Sequence, residues 1–312
     1  MSIETSSIVE RLGHPDVAVR RVALTELDEY FDEIPVAAIL PLLRDDDTAV
    51  RRLAIAAAEE LGDTEALPAL ISLASDPTAE VALAAASALR EFRTRDAAPY
   101  LTAGLVHAEA ASRVAVLVAL RELRPAAALP AIGEALRDPD SGVRREAVIT
   151  LAHYRDAATL PQLRAALKDA DSDVRRIAVG AVAFFPADTT VQDLRGALAD
   201  SDWQVRRESA VALGRFPGNG TIWLLTGALN DEYWQVAREA ALSLGKIRAP
   251  VADRIVPLAR HPVADVRIAA ATALGAIGDD RCSDVLKALT ADVDTGVRKA
   301  AARALEQIGP AI

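Results

Sequence analysis

Apolar residues recur along this chain with the period of a helix, and the stripes they form recur about every 31 residues. Val143, Ala147, Leu151 and Tyr154 fall at offsets 0, 4, 8 and 11; Val205, Ser209, Leu213 and Phe216 repeat those offsets, as do Val297, Ala301, Leu305 and Ile308. Side chains so spaced share one face of an α-helix. A short polar connection follows each stripe, such as Arg155-Asp156-Ala157 or Gly218-Asn219-Gly220. A second helix then starts, often with proline in its first turn, at Pro68, Pro99, Pro130 and Pro161. Proline is tolerated there because the amide it lacks would have no intrahelical partner. Leu163 and Leu167, or Leu194 and Leu198, carry the second stripe. Alternation of period two is absent, so the chain reads as all-α.

Valine-arginine pairs set the register, at Val19-Arg20, Val50-Arg51, Val143-Arg144, Val174-Arg175, Val205-Arg206, Val266-Arg267 and Val297-Arg298. Ten units begin at His14, Asp45, Asp76, His107, Asp138, Asp169, Asp200, Asp231, His261 and Asp292. Residues 1–13 read as an N-terminal capping helix through Ile8, Val9 and Leu12. Nine full repeats occupy 14–291, and a tenth, truncated after its first helix at Gly309-Pro310, occupies 292–312. A two-helix hairpin of this length cannot bury its apolar side alone, but stacking on the next hairpin buries it. The expected architecture is one α-solenoid over 1–312 with caps at both ends.

Asp16, Asp47, Glu109, Asp140, Asp171, Asp202 and Asp294 each stand four residues before an arginine. At that spacing an acid can cap the helix start and face the arginine one turn later. Where the arginine is replaced, at Ala82 and Ala237, the acid gives way to Thr78 and Tyr233; only Arg267, preceded by Val263, breaks the rule. This coupled gain and loss marks the arginines as structural.

Composition narrows the partners. The chain holds 35 basic and 45 acidic residues, a net charge of -10, which argues against nonspecific binding to nucleic acid or to an anionic membrane. One cysteine, Cys282, excludes an internal disulfide and fits a reducing compartment. No apolar run reaches membrane-spanning length, and the first residues, MSIETSSIVERLG, lack the pattern of a secretory signal. A cytoplasmic protein is expected.

The pattern Asp-x-Asp-x-x-Val-Arg-Arg-x-Ala-x-x-x-Leu, followed by a proline-led second helix, resembles the short HEAT-like repeat of the phycobilin-lyase type over residues 14–309. The resemblance implies a right-handed superhelix with second helices lining a concave surface. Fold alone does not imply activity. The wider group includes adaptors, chromophore lyases and chaperones of phycobiliproteins, a DNA-repair glycosylase class, and deoxyhypusine hydroxylase. The hydroxylase carries His-Glu where this chain has Arg145-Glu146, Arg207-Glu208 and Arg238-Glu239. Arginine stays protonated and ligates no iron, and no His-Glu dipeptide occurs in the chain.

Other chemistry is sparse. His14, His107 and His261 each take the first position of a unit, several repeats apart, as polar turn residues, while His153 sits beside Tyr154 at a helix end as a packing residue. Cys282 lies beside Asp279, Asp280 and Asp284, and acids raise a thiol's pKa. No catalytic constellation, metal site or cofactor is expected.

The local anomaly is aromatic. Trp203 and Trp234 occupy one position in successive units, where other units carry mostly small side chains; Gln204 and Gln235 follow them, Tyr233 precedes the second, and Trp223 lies between. Exposed Trp and Tyr are common energetic centres of interfaces. These six residues are the expected partner-binding ridge. Tyr100, Gln162, Asp193 and Arg254 are expected on the concave side, where variation from unit to unit suits one specific partner. The expected function is a non-catalytic scaffold or adaptor for a protein or peptide. The alternative is a lyase-like or chaperone-like subunit acting on a chromophore- or cofactor-bearing protein. Oligomeric state is left open by the sequence.

Overall fold

A computed structural model of the protein describes residues 3–27 and 30–309, and every element among them is helical. They fall into two compact units, Met1–Thr159 and Leu160–Ile312. The outer ends of the expected caps, residues 1–2 and 310–312, lie outside the described residues.

In the first unit the helix Ile3–Leu12 buries Ile8 and Leu12 and precedes Val17–Thr25. The first helices of the next four repeats are Thr48–Leu61, Ala79–Ala88, Ala110–Leu123 and Ser141–Tyr154. In the second unit they are Ser172–Val182, Trp203–Leu213, Trp234–Lys246, Ala264–Ile277 and Thr295–Ile308. The stripes read from the sequence form the core. Val143, Ala147, Leu151, Val205, Ser209, Leu213, Val297 and Ala301 are all buried, and each large apolar side chain so enclosed contributes about 2 kcal/mol. Ser209 is tolerated because its hydroxyl donates to the carbonyl of Leu194 at 2.6 Å. Tyr154, at the end of its stripe, is half-buried; its hydroxyl donates to the Pro125 carbonyl, and burial pushes its pKa up to about 12.

Second helices are shorter and less regular than the sequence pattern predicts. The one after Val17–Thr25 breaks into Val36–Ile39 and a 3-10 turn, Leu42–Arg44; another breaks into Ala252–Ile255 and Val256–Arg260. Pro41 and Pro257 lie at these breaks, where the missing amide donor and the ring's clash with the preceding turn prevent a continuous α-helix. Pro68, in the first turn, leaves its helix Leu67–Leu73 intact, whereas the helix behind Pro130, Leu129–Glu134, passes into a 3-10 turn, Ala135–Arg137, with no proline at that break.

The arginines hold successive repeats together, and their partner differs from the sequence expectation. The aspartates four residues before an arginine do cap their helices: Asp47, Asp140 and Asp294 accept from the amides of Val50, Val143 and Val297, for example, whereas the Glu109 side chain makes no such bond. The arginine, however, reaches the aspartate that opens the next repeat, 25 residues on. Arg113–Asp138 in the first unit, and Arg175–Asp200, Arg206–Asp231 and Arg267–Asp292 in the second, are two-bonded pairs with contacts of 2.7–2.9 Å. Arg20–Asp45 and Arg51–Asp76 pair at 2.7 and 3.0 Å. The remaining guanidinium nitrogen donates to the first two carbonyls of the arginine's own repeat, as Arg206 does to Asp200 and Ser201. A planar fork with five donors can serve all these acceptors at once. Arg267 is no exception in this scheme, because its partner is Asp292.

The histidines complete the pattern. His14, His107 and His261 accept through Nδ1 the amide two residues on, as the opening aspartates do. His107 and His261 follow the repeats in which Ala82 and Ala237 stand in place of arginine. The fourth, His153, is exposed, and its ring donates to the Ile149 carbonyl, so it is a helix-end residue and not a packed one.

These carboxylates make stability depend on pH. The Arg21 side chain, then the Val50 amide, hold Asp47 down at about 2. Burial pushes Asp138, Asp200 and Asp231 up, but hydrogen bonds from the paired arginine and a backbone amide outweigh it and leave all three below the usual carboxylate range. A carboxyl whose folded pKa is depressed stabilises the fold fully above its unfolded value, near 4, and that contribution is lost as pH falls through the folded value. Urea midpoints are therefore expected to hold from neutral pH to about 4 and to drop on approaching pH ~2. A midpoint that rises on acidification would contradict the ladder.

Candidate functional site

Trp203 opens the helix Trp203–Leu213, and Tyr233 stands immediately before Trp234–Lys246 in the following repeat, with no side-chain capping bond. Their rings stack with centroids 5.7 Å apart and planes 9° from parallel. The Arg206 guanidinium lies 5.4 Å from the Tyr233 ring centre while gripping Asp231, so the stack is built onto the ladder. Trp203 is half-buried, Tyr233 is exposed and Gln204 is exposed. Trp234 and Gln235 are half-buried beyond the stack, and Gln235 Oε1 is enclosed without a hydrogen-bond partner among the described residues. The ridge is thus a pair, Trp203 with Tyr233, covering a seam between two repeats.

Trp223 stands apart from it. It projects from the second helix Asn219–Ala228, is 69% exposed, and borders an open groove of about 620 Å³ with Arg195, Gly227 and Arg254. A second groove on the second helices, of about 730 Å³, is lined by Arg164, Gln192 and Asp193 among others. The four residues expected on this face all lie on second helices: Tyr100 in Ala97–Gly104, Gln162 in Leu160–Ala166, Asp193 in Ala187–Ala197 and Arg254 in Ala252–Ile255. Tyr100 and Arg254 are exposed, while Asp193 is engaged by the Arg164 guanidinium at 2.7 Å. Arg164 also donates to the Thr189 carbonyl.

Arg195 completes the Trp223 groove and is not among the residues that aromatic content singles out. It could have been found by register: Arg195 stands 31 residues after Arg164, at the same position of its helix, whereas the place of Asp193 is taken by Leu224.

Two further titratable groups, Glu146 and Cys282, are held by the fold. Glu146, one of the Arg-Glu glutamates, is buried and ion-paired with Arg121 of the preceding repeat; burial pushes its carboxyl up, against the pull of Arg121. Cys282 is buried at the end of the turn Asp280–Cys282, and burial, then Asp279, pushes its thiol up, away from the reactive thiolate. No helix among the described residues is long and apolar enough to cross a membrane.

Comparison with known proteins points the same way as the hairpins. The family model for HEAT repeats matches residues 5–90, 36–121, 101–182, 160–245 and 221–306. Among solved structures, a chain from the complex of Kap95p with RanGDP is similar with a TM-score of 0.64 at 14% identity, over 97% of this chain and 48% of that one. Importin beta is similar with a TM-score of 0.60 at 17% identity, over 98% of this chain and 50% of its own. The Escherichia coli protein YibA is similar with a TM-score of 0.54 at 16% identity, over 91% of this chain and 96% of that one. At these identities the likeness is one of fold. No curated protein matches the chain in sequence.

Proposed function

Because the chain belongs to the HEAT-repeat family, we propose that it is a non-catalytic scaffold or adaptor that binds another protein or a peptide. The observation that carries this reading is Trp223, an indole 69% exposed beside an open groove. An uncovered indole offers a large apolar area with one hydrogen-bond donor, and covering it on a partner is favourable. The Trp203–Tyr233 stack is a second contact surface on the same reading. The arginines repeated in register are bound inside the ladder, so the recognition surface is made by the residues that differ between repeats. The net charge of -10 disfavours nucleic acid and anionic membranes as partners, and we place the protein in the cytoplasm on the strength of its single, buried cysteine. The short repeat length keeps it with the phycobilin-lyase-type subgroup.

The test is crosslinking in extract followed by capture of the full chain and of two variants. Trp223→Ala, and the pair Trp203→Ala with Trp234→Ala, are expected to keep the helical circular dichroism. At least one of them is expected to lose the captured polypeptide, reflecting about 2 kcal/mol or more of lost contact. A polypeptide retained equally by both variants, or purified protein that carries visible absorbance from a bound chromophore, overturns this reading.

A further inference from the structure

We infer that the groove between Arg195, Trp223 and Arg254 takes an acidic peptide segment, one that sets a carboxylate against Arg195 and an apolar side chain against Trp223. The inference rests on the protein-binding reading above and names the class of partner for that site.

The repeat supplies its own control. Arg164 and Arg195 occupy one position of successive second helices, 31 residues apart. The guanidinium of Arg164 is held by Asp193 of the next repeat at 2.7 Å. Arg195 faces the same place one repeat later, but Leu224 stands there, and Arg195 makes no side-chain hydrogen bond or ion pair among the described residues. The chain therefore omits, at this single step, the carboxylate that its own geometry provides for one step earlier.

The surroundings favour an anion from outside. Arg254, on the opposite wall, has its side chain 66% exposed and only a 3.5 Å contact to Asp253. Asp231, the acid that lines the groove, is committed to Arg206 through two bonds of 2.7 and 2.9 Å, which cancels most of its field. In a chain of net charge -10 this groove is thus locally positive, and a carboxylate can meet a guanidinium in a bidentate pair. Gly227 adds room: a Cβ built on it meets nothing within 4 Å, so no neighbour in the fold requires a glycine there, although glycine weakens a helix relative to alanine. The bare helix surface leaves space for a chain lying across it, beside the indole.

The test uses the full chain and three fluorescein-labelled peptides of alternating sequence, Glu–Phe, Lys–Phe and Ser–Phe, with binding read by fluorescence anisotropy. The Glu–Phe peptide is expected to bind, and the other two to bind at least about tenfold more weakly. Arg195→Ala and Trp223→Ala are each expected to weaken the Glu–Phe peptide about tenfold, with unchanged helical circular dichroism. Leu224→Asp supplies from within the chain the carboxylate that Asp193 gives Arg164, and is expected to block the acidic peptide while leaving the fold intact. Glu–Phe binding that is absent, or indifferent to Arg195→Ala and Leu224→Asp, overturns the inference. A Ser–Phe or Lys–Phe peptide that binds as tightly, and depends on Trp223, overturns acidic selectivity but leaves the peptide-binding reading standing. The crosslinking result with Trp223→Ala decides that broader reading separately.

Discussion

Arg206→Ala is expected to lower the stability of the Leu160–Ile312 unit by about 3 kcal/mol, a loss typical of breaking an enclosed charge pair by removing one member. The arginine side chain is only 10% exposed and the Asp231 side chain 12%, so neither group is free to trade its partner for water. Deletion strands the Asp231 carboxylate, leaves the carbonyls of Asp200 and Ser201 without their donor, and takes the cation away from the Tyr233 ring. All three tryptophans lie in this unit, so urea unfolding followed by indole fluorescence reports on it directly. The chain also indicates a cure. Ala82 and Ala237 replace the arginine naturally, and the repeats after them open with His107 and His261. Adding Asp231→His to Arg206→Ala is therefore expected to restore about 2 kcal/mol, because a neutral imidazole caps the amide of Tyr233 without burying an unpaired charge. A double variant no more stable than the single one would show that the arginine's value lies in its carbonyl contacts and not in the ion pair.

Gly275→Val is expected to cost about 3 kcal/mol through overpacking. A Cβ built on Gly275 falls 2.6 Å from the Ala304 Cβ and 2.7 Å from its Cα, and one on Gly245 falls 2.7 Å from the Cα of Ala273. Backbone atoms that close cannot yield by a rotamer change, so Ala264–Ile277 and Thr295–Ile308 must separate along their shared length. Hydrogen exchange should show protection lost first in residues 295–308, the last helix of the array, which has a repeat neighbour on one side among the described residues. Gly227→Ala is the matched control. With nothing within 4 Å of its Cβ it is expected to stabilise by about 0.5–1 kcal/mol through helix propensity alone. A neutral Gly275→Val would mean that these helices are not in backbone contact.

Much of this protein was legible in one dimension because its repeats are copies. The valine stripe and the aspartate caps follow from local periodicity and lie where the pattern puts them, whereas the second helices lie in their expected places but are shorter and more broken than the pattern predicts. The arginine was legible as structural but not as to its partner. Its four-residue spacing from an acid and its 25-residue spacing from the next repeat's aspartate are both present in the chain. Local helix geometry favours the first, whereas the stacked hairpins bring the second within 2.7–2.9 Å. The one apparent exception, Val263 before Arg267, was the clue that the longer spacing governs.

The aromatic anomaly divides the same way. Sequence alone marked Trp203, Trp223, Tyr233 and Trp234 as unusual, since that judgement needs only comparison among repeats. Tertiary structure separated them, stacking Trp203 on Tyr233 across a seam and leaving Trp223 open beside Arg195 on another face. Periodicity by itself determined that the chain is a succession of helical hairpins, because burying a stripe of period 3.6 admits no other element. Which charges are spent within the stack and which remain for a partner was decided only when neighbouring hairpins met, since an ion pair depends on distance through space and not on distance along the chain.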